Sequence, residues 1–176
     1  MLWDFDITRT LALMARTWPF IVARIIVYFA ITFAYIVAVG GGAGVGYGIG
    51  NVFGILPGSG GGDARPLMIG SHIDTVRHAG ALDGCYGVLA GLAVARAYRS
   101  AGRTPRRPIA VAAFTNEEGV RYQPDMMGSL VFAGGLSLDA ALATVGTDGT
   151  RLGEELARIG YAGDLTPGAI APHAYL

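Results

Sequence analysis

Apolar positions run together through one end of the chain and come in short blocks through the rest. Met1 to Arg24 carries Asp4, Asp6, Arg9, Arg16 and Arg24 between Leu11, Met14, Ala15 and Trp18 at helical spacing, which predicts an amphipathic, interfacial helix over residues 1–24. From Ile25 to Leu56 there is no charged residue. Ile25 to Val39 alone would extend roughly 22 Å as helix, short of a bilayer core of roughly 30 Å. Continued into the glycine-rich part, or taken back across Arg24 by snorkelling, it spans. Glycines at 42, 46, 50 and 54, and again at 40, 44 and 48, repeat Gly-x-x-x-Gly, a face on which helices approach closely in lipid. The expected element over 25–56 is therefore a transmembrane helix or a helical hairpin. Arginines before the span favour a cytoplasmic N-terminus. One span then carries the remainder outside, and a hairpin keeps it inside.

Pro57-Gly-Ser-Gly-Gly-Gly62 stops the apolar run and reads as a linker over 57–65. The blocks that follow in 66–176 alternate in type. Pro66 to Gly70 and Pro108 to Phe114 are strand-like, and Gly87 to Ala101 is helical, with Val88, Leu92 and Ala95 on one face and Gly102 as its stop. Strand, helix, strand predicts a right-handed βαβ crossover with parallel neighbouring strands. The fold class is α/β, a partial catalytic domain with a mostly parallel sheet flanked by helices. Further helices are expected over Met126 to Ala133 and over Asp148 to Gly160, the second with Leu152, Leu156 and Ile159 inward.

Thirteen basic and thirteen acidic residues give a formal net charge of zero. Nothing in that balance draws the chain to nucleic acid or acidic lipid. The mean hydropathy of +0.47 is high for a soluble enzyme, and the excess sits before Pro57. Cys85 is the one cysteine, so no intrachain disulfide forms, and it reads as a small buried thiol. The glycine run is no nucleotide loop: no register gives Gly-x-Gly-x-x-Gly and no Gly-Lys-Ser/Thr follows.

Chemistry concentrates where the two strands end. Gly70-Ser-His72-Ile-Asp74 follows the first, Leu82-Asp83-Gly84 comes soon after, and Thr115-Asn-Glu117-Glu118-Gly119 follows the second. Ligands in open α/β sheets bind at that edge. An imidazole and carboxylates from separate segments suit a borderline divalent cation such as Zn²⁺, Mn²⁺ or Co²⁺. His72 and Asp74, two apart in extended chain, point the same way, so one can ligate while the other takes the second ring N–H. Glu117 and Glu118, being adjacent, diverge: one can bind the cation while the other stays free as a base for water the cation activates.

Gly-Ser-His-Ile-Asp-Thr-Val, Asp-Gly-x-x-Gly-Val-Leu-Ala-Gly and Phe-Thr-Asn-Glu-Glu-Gly-x-Arg resemble the dinuclear metallohydrolases that include allantoate amidohydrolase and N-carbamoyl-L-amino-acid hydrolase, relatives of the metal-dependent exopeptidases. The resemblance runs from about Pro66 to Leu176. It implies two divalent ions (Zn, Mn or Co), with His72 on one, Asp83 bridging both and Glu118 on the second. It makes Glu117 the general base and places Asp74 behind His72. Arg121 belongs to the same motif, where it braces a carboxylate or simply lies at the surface. The implied substrate is a small ureido or amide compound, allantoate or an N-carbamoyl-L-amino acid. The family is cytoplasmic and homodimeric. Its third ligand to each metal, a histidine in both cases, and its dimerisation domain are expected beyond Leu176. That makes 66–176 an incomplete catalytic domain with weak or no activity, fused to an N-terminal membrane segment. Two other readings of the same residues are a small Gly-x-x-x-Gly membrane protein with a non-catalytic hydrolase-like tail, and an artefactual join of two genes.

Overall fold

The structure, a computed structural model, describes residues 44–46, 48–76, 78–80 and 82–176. Its centre is a five-stranded mixed sheet with strands β1 (Gly44–Gly46), β2 (Val52–Leu56), β3 (Leu67–His72), β4 (Ile109–Phe114) and β5 (Ala174–Tyr175), in the order β1-β2-β4-β3-β5. Helix α1 (Cys85–Ser100) connects β3 to β4 and packs on both. Those two strands are parallel and in register, Leu67 with Ile109 through His72 with Phe114, as the βαβ reading requires. Val88, Leu92 and Ala95 are the buried face of α1. They meet Leu56, Ile109, Val111 and Ala113 on one side of the sheet.

On the other side lie α2 (Met127–Ala133), α3 (Leu138–Leu142) and α4 (Leu152–Arg158). They close over Phe53, Met68, Ala112 and Phe114. Phe53, Phe114 and Phe132 stack against one another with ring centroids 5.5 to 6.0 Å apart, favourable geometry for aromatic pairs. All six residues of β4 are buried, as expected for a central strand covered on both faces.

The expected membrane segment fails in its second half. Residues 44–46 and 52–56 are strands, not helix: β1 pairs antiparallel with β2, and β2 pairs antiparallel with β4 from Val52–Ala113 to Leu56–Ile109. Gly50 has φ +87°, outside any helix. The physical reason for the misreading is double burial. Phe53 enters one core and Leu56 the other, and a strand covered on both faces shows the continuous apolar run that a membrane helix also shows. Among the described residues no helix is long and apolar enough to cross a membrane. The expectations for 1–43 lie outside the described residues.

Pro57 to Gly62 is accordingly a loop within the domain rather than a boundary. Ser59 N–H donates to the Pro105 carbonyl at 2.9 Å. The sheet is mixed: β2 alone runs against the other strands, so its pairings with β1 and β4 are antiparallel, while β4–β3 and β3–β5 are parallel as expected. Leu152 and Leu156 point inward, but Ile159 is 52% exposed because α4 ends before it.

Candidate metal centre

The parallel register brings β3 and β4 to the same edge together, so the segments leaving His72 and Phe114 emerge side by side. A left-handed Asn116 (φ 54°) turns the second segment, and its side-chain N–H donates to the Tyr122 carbonyl at 2.7 Å. The first segment crosses to meet it. The Asp74 carboxylate accepts the backbone N–H of Glu117 at 3.3 Å and of Glu118 at 3.0 Å. One side chain thereby fixes the backbone of both glutamates.

Asp83 arrives from the start of α1. Gly84 caps that helix at φ 65°, and a Cβ there would collide with the His72 ring. Only glycine combines the left-handed backbone with so close an approach to the imidazole. The result is one cluster of three donors, His72, Asp83 and Glu118, with ligand atoms all within 4.8 Å of one another. His72 Nδ1 lies 3.0 Å from the Asp74 main-chain oxygen, and Nε2 lies 3.9 Å from Asp83 Oδ1. A proton on Nδ1, donated to that carbonyl, leaves the Nε2 lone pair facing Asp83. The partner of the ring N–H is thus the main chain of Asp74 at 3.0 Å, ahead of its carboxylate at 3.5 Å.

Charge agrees with this geometry. A side-chain hydrogen bond with Asp83 raises the Glu118 pKa, helped by desolvation and by the charges of Asp83 and Asp74, while His72 opposes. Two carboxylates held face to face favour a shared proton or a shared cation. One nitrogen and two oxygen donors suit Zn²⁺ or a similar ion.

Glu117 turns away from the three donors. Its Oε1 accepts the Ser129 N–H and its Oε2 the Ser129 hydroxyl, both at 2.9 Å. It lines a cleft of about 380 Å³ with His72, Ser71, Phe114, Phe132 and Tyr175. Burial, then the Glu117 charge, pushes the Tyr175 phenol up.

The remaining histidines and the cysteine lie apart from the cluster. His78 and His173 are exposed, and neither joins the donor group. Cys85 is half-buried, desolvation holds its thiol above the ordinary range, and it is not among the clustered donors. Arg121 does brace carboxylates, but those of Asp148 (2.8 Å) and Glu155 (3.1 Å), away from the donor cluster.

Two residues escaped the sequence reading. Ser129 is one. The other is Asn51, fully buried, whose Oδ1 accepts the Thr115 N–H at 2.9 Å and whose Nδ2 donates to the Gly128 carbonyl at 2.8 Å. An amide in an otherwise uncharged apolar run was the available signal for Asn51. Ser129 offered only its place in the first turn of a short helix.

A mixed α/β sheet with this donor cluster at the ends of its parallel strands has the layout of a hydrolase fold. Residues 51–166 match peptidase family M28, and the chain belongs to that family. It is 46% identical over 113 residues to the N-carbamoyl-L-amino-acid amidohydrolase of Rhizobium meliloti, across 64% of this chain and 27% of that protein. It is 41% identical over 88 residues to allantoate deiminase 2 of Glycine max, across 49% of this chain and 18% of that protein. Among solved structures, a hydantoinase/carbamoylase family amidase from Burkholderia ambifaria superimposes with a TM-score of 0.75 at 42% identity, over 81% of this chain and 35% of that one. The chain thus spans about a third or less of the length of these relatives.

Proposed function

We propose that this chain carries metal-binding and catalytic residues of a hydrolase acting on linear ureido or amide C–N bonds, of the allantoate or N-carbamoyl-L-amino-acid type. The observation that carries the reading is the convergence of His72, Asp83 and Glu118 within 4.8 Å at the end of the parallel strands. The names of the relatives support the substrate class. His72 and Glu118 would hold separate divalent ions (Zn, Mn or Co), and Asp83 would bridge them. Such ions supply Lewis acidity toward water and the substrate carbonyl.

The chain's own residues do the rest. Asp74 orients His72 and pins the glutamate pair. Glu117, held at the cleft by Ser129, takes a proton from the attacking water as its oxygen bonds to the carbonyl carbon. It then returns that proton to the nitrogen as the C–N bond breaks. The test is hydrolysis of an N-carbamoyl-L-amino acid and of allantoate by the metal-loaded chain, with Glu117→Gln alongside. Loss of turnover in the variant with metal retained supports the roles given, and unchanged turnover refutes them.

The uncharged run from Ile25 carries a separate proposal, that the part of the chain before Gly44 attaches this domain to a membrane. Recovery of the full chain in the carbonate-washed membrane fraction supports it, and complete release by carbonate refutes it.

A further inference from the structure

We infer that Ser129 decides which of the two adjacent glutamates becomes a metal ligand, by holding Glu117 off the cation site. The inference rests on the metal reading above. The backbone does not choose between them, because Asp74 accepts the N–H of both Glu117 and Glu118. Nor does distance along the chain, since consecutive Cα atoms are only about 3.8 Å apart. What separates them is the side chain: Glu118 joins His72 and Asp83, while both oxygens of Glu117 are taken by Ser129.

A carboxylate beside a divalent cation is drawn to it strongly in a partly desolvated site. Glu117 has room to respond, because it and His72 line the same cleft. The Ser129 hydroxyl has one proton and two acceptors in range, the Met126 carbonyl at 3.0 Å and Glu117 Oε2 at 2.9 Å. The charged acceptor makes the stronger bond.

Ser129 is also fixed independently of the Glu117 side chain. The Met127 N–H donates to the Asn116 carbonyl and the Gly128 N–H to the Thr115 carbonyl. A Cβ at Gly128 would collide with Asn51 Oδ1 and Thr115. The first turn of α2 is thereby seated against the glutamate loop by main-chain bonds that involve none of the three donor side chains, and it holds the serine toward Glu117. Ser129 is a positioning residue: it keeps one carboxylate as a base while its neighbour serves as a ligand.

The test is cobalt(II) titration of the full chain, read by affinity and by the visible d–d band, which weakens as coordination number rises. Ser129→Ala and Ser129→Val free one oxygen of Glu117. Each is expected to bind cobalt about ten-fold more tightly than the wild type, with a weaker band. Ser129→Thr keeps the hydroxyl and should match the wild type, and the Ser129→Ala/Glu117→Gln double variant should return to it. Folded Ala and Val variants with wild-type affinity and spectrum overturn the inference. So does a double variant that keeps the change, since Glu117 is then not its source. If the wild type binds no cobalt, or binds it regardless of His72→Ala, the metal reading itself falls and this inference with it.

Discussion

Asp74→Ala is the sharpest perturbation of the site that leaves every proposed ligand in place. The carboxylate accepts two backbone N–H groups, from Glu117 at 3.3 Å and Glu118 at 3.0 Å, and its Oδ1 lies 3.5 Å from His72 Nδ1. A hydrogen bond to a charged group contributes about 1.5–3 kcal/mol when buried. The Asp74 side chain is 35% exposed, so water replaces part of each bond, and about 1 kcal/mol apiece is the appropriate scale. The variant should therefore lose about 2 kcal/mol of stability in urea unfolding. One effect runs the other way: removing Asp74 relieves its repulsion of Glu118, but that is the smallest of the causes acting on the Glu118 pKa. The hydrogen bonds win. Because the Glu118 backbone is then unpinned and His72 loses a nearby anion, metal affinity should fall about 10- to 100-fold, the usual scale for an outer-shell residue. Asp74→Asn keeps one acceptor oxygen and should lie between. Calorimetric metal titration beside urea unfolding reads both quantities. An Asp74→Ala protein within twofold of wild-type affinity, and within about 0.5 kcal/mol in stability, would refute the pinning role.

Other consequences follow from particular contacts. Gly84→Ala should abolish metal binding while leaving the sheet folded, because φ 65° strains the new side chain and its Cβ displaces the His72 ring; circular dichroism with metal titration separates the two effects. Asn51→Ala removes the acceptor of the part-buried Thr115 N–H and one donor to the Gly128 carbonyl. It should cost about 2–4 kcal/mol in urea unfolding, and a cost under about 0.5 kcal/mol would contradict the strand placement of this segment. Acid stability should respond to Arg121. Arg158 and then Arg121 hold Glu155 down to about 2, and Thr150 does most to hold Asp148 at about 2. Both values are depressed below the ordinary 4.5 and 3.8, so this stabilisation is complete above that range and is lost as pH falls toward about 2. Arg121→Gln should shift the acid unfolding midpoint upward and leave stability near pH 7 less pH-dependent than the acid limb; an unmoved midpoint would show that the network contributes nothing.

What the sequence disclosed depended on how distinct each signal was. β3, α1 and β4 were legible because two apolar blocks flank a helix with one buried face, and because polar residues crowd after each block. His72, Asp74, Asp83, Glu117 and Glu118 stood out as a group for the same reason, in a chain with few charges, and the division of that group into ligands and base came only from the family resemblance. β2 was misread because burial on both faces erases the alternation that marks a strand, leaving a run that imitates a lipid-facing helix. Gly44 and Gly54, counted toward a helix-packing repeat, are cross-strand partners instead. Helix α3 was missed because five residues hold little more than one turn; its clearest mark is Ser137, whose Oγ accepts the Ala140 N–H at 3.3 Å. Ser129 was invisible because its role exists only through a contact with Glu117, twelve positions away.

The central claim is that His72, Asp83 and Glu118 together form one metal centre, with Asp83 shared between the ions held by His72 and Glu118. Anomalous diffraction at the zinc edge from crystals of the zinc-loaded chain tests it most directly. The account predicts peaks about 2.0–2.2 Å from a ring nitrogen of His72 and from carboxylate oxygens of Asp83 and Glu118, with Glu117 still on Ser129. Zinc bound elsewhere, with those three side chains left uncoordinated, would contradict it.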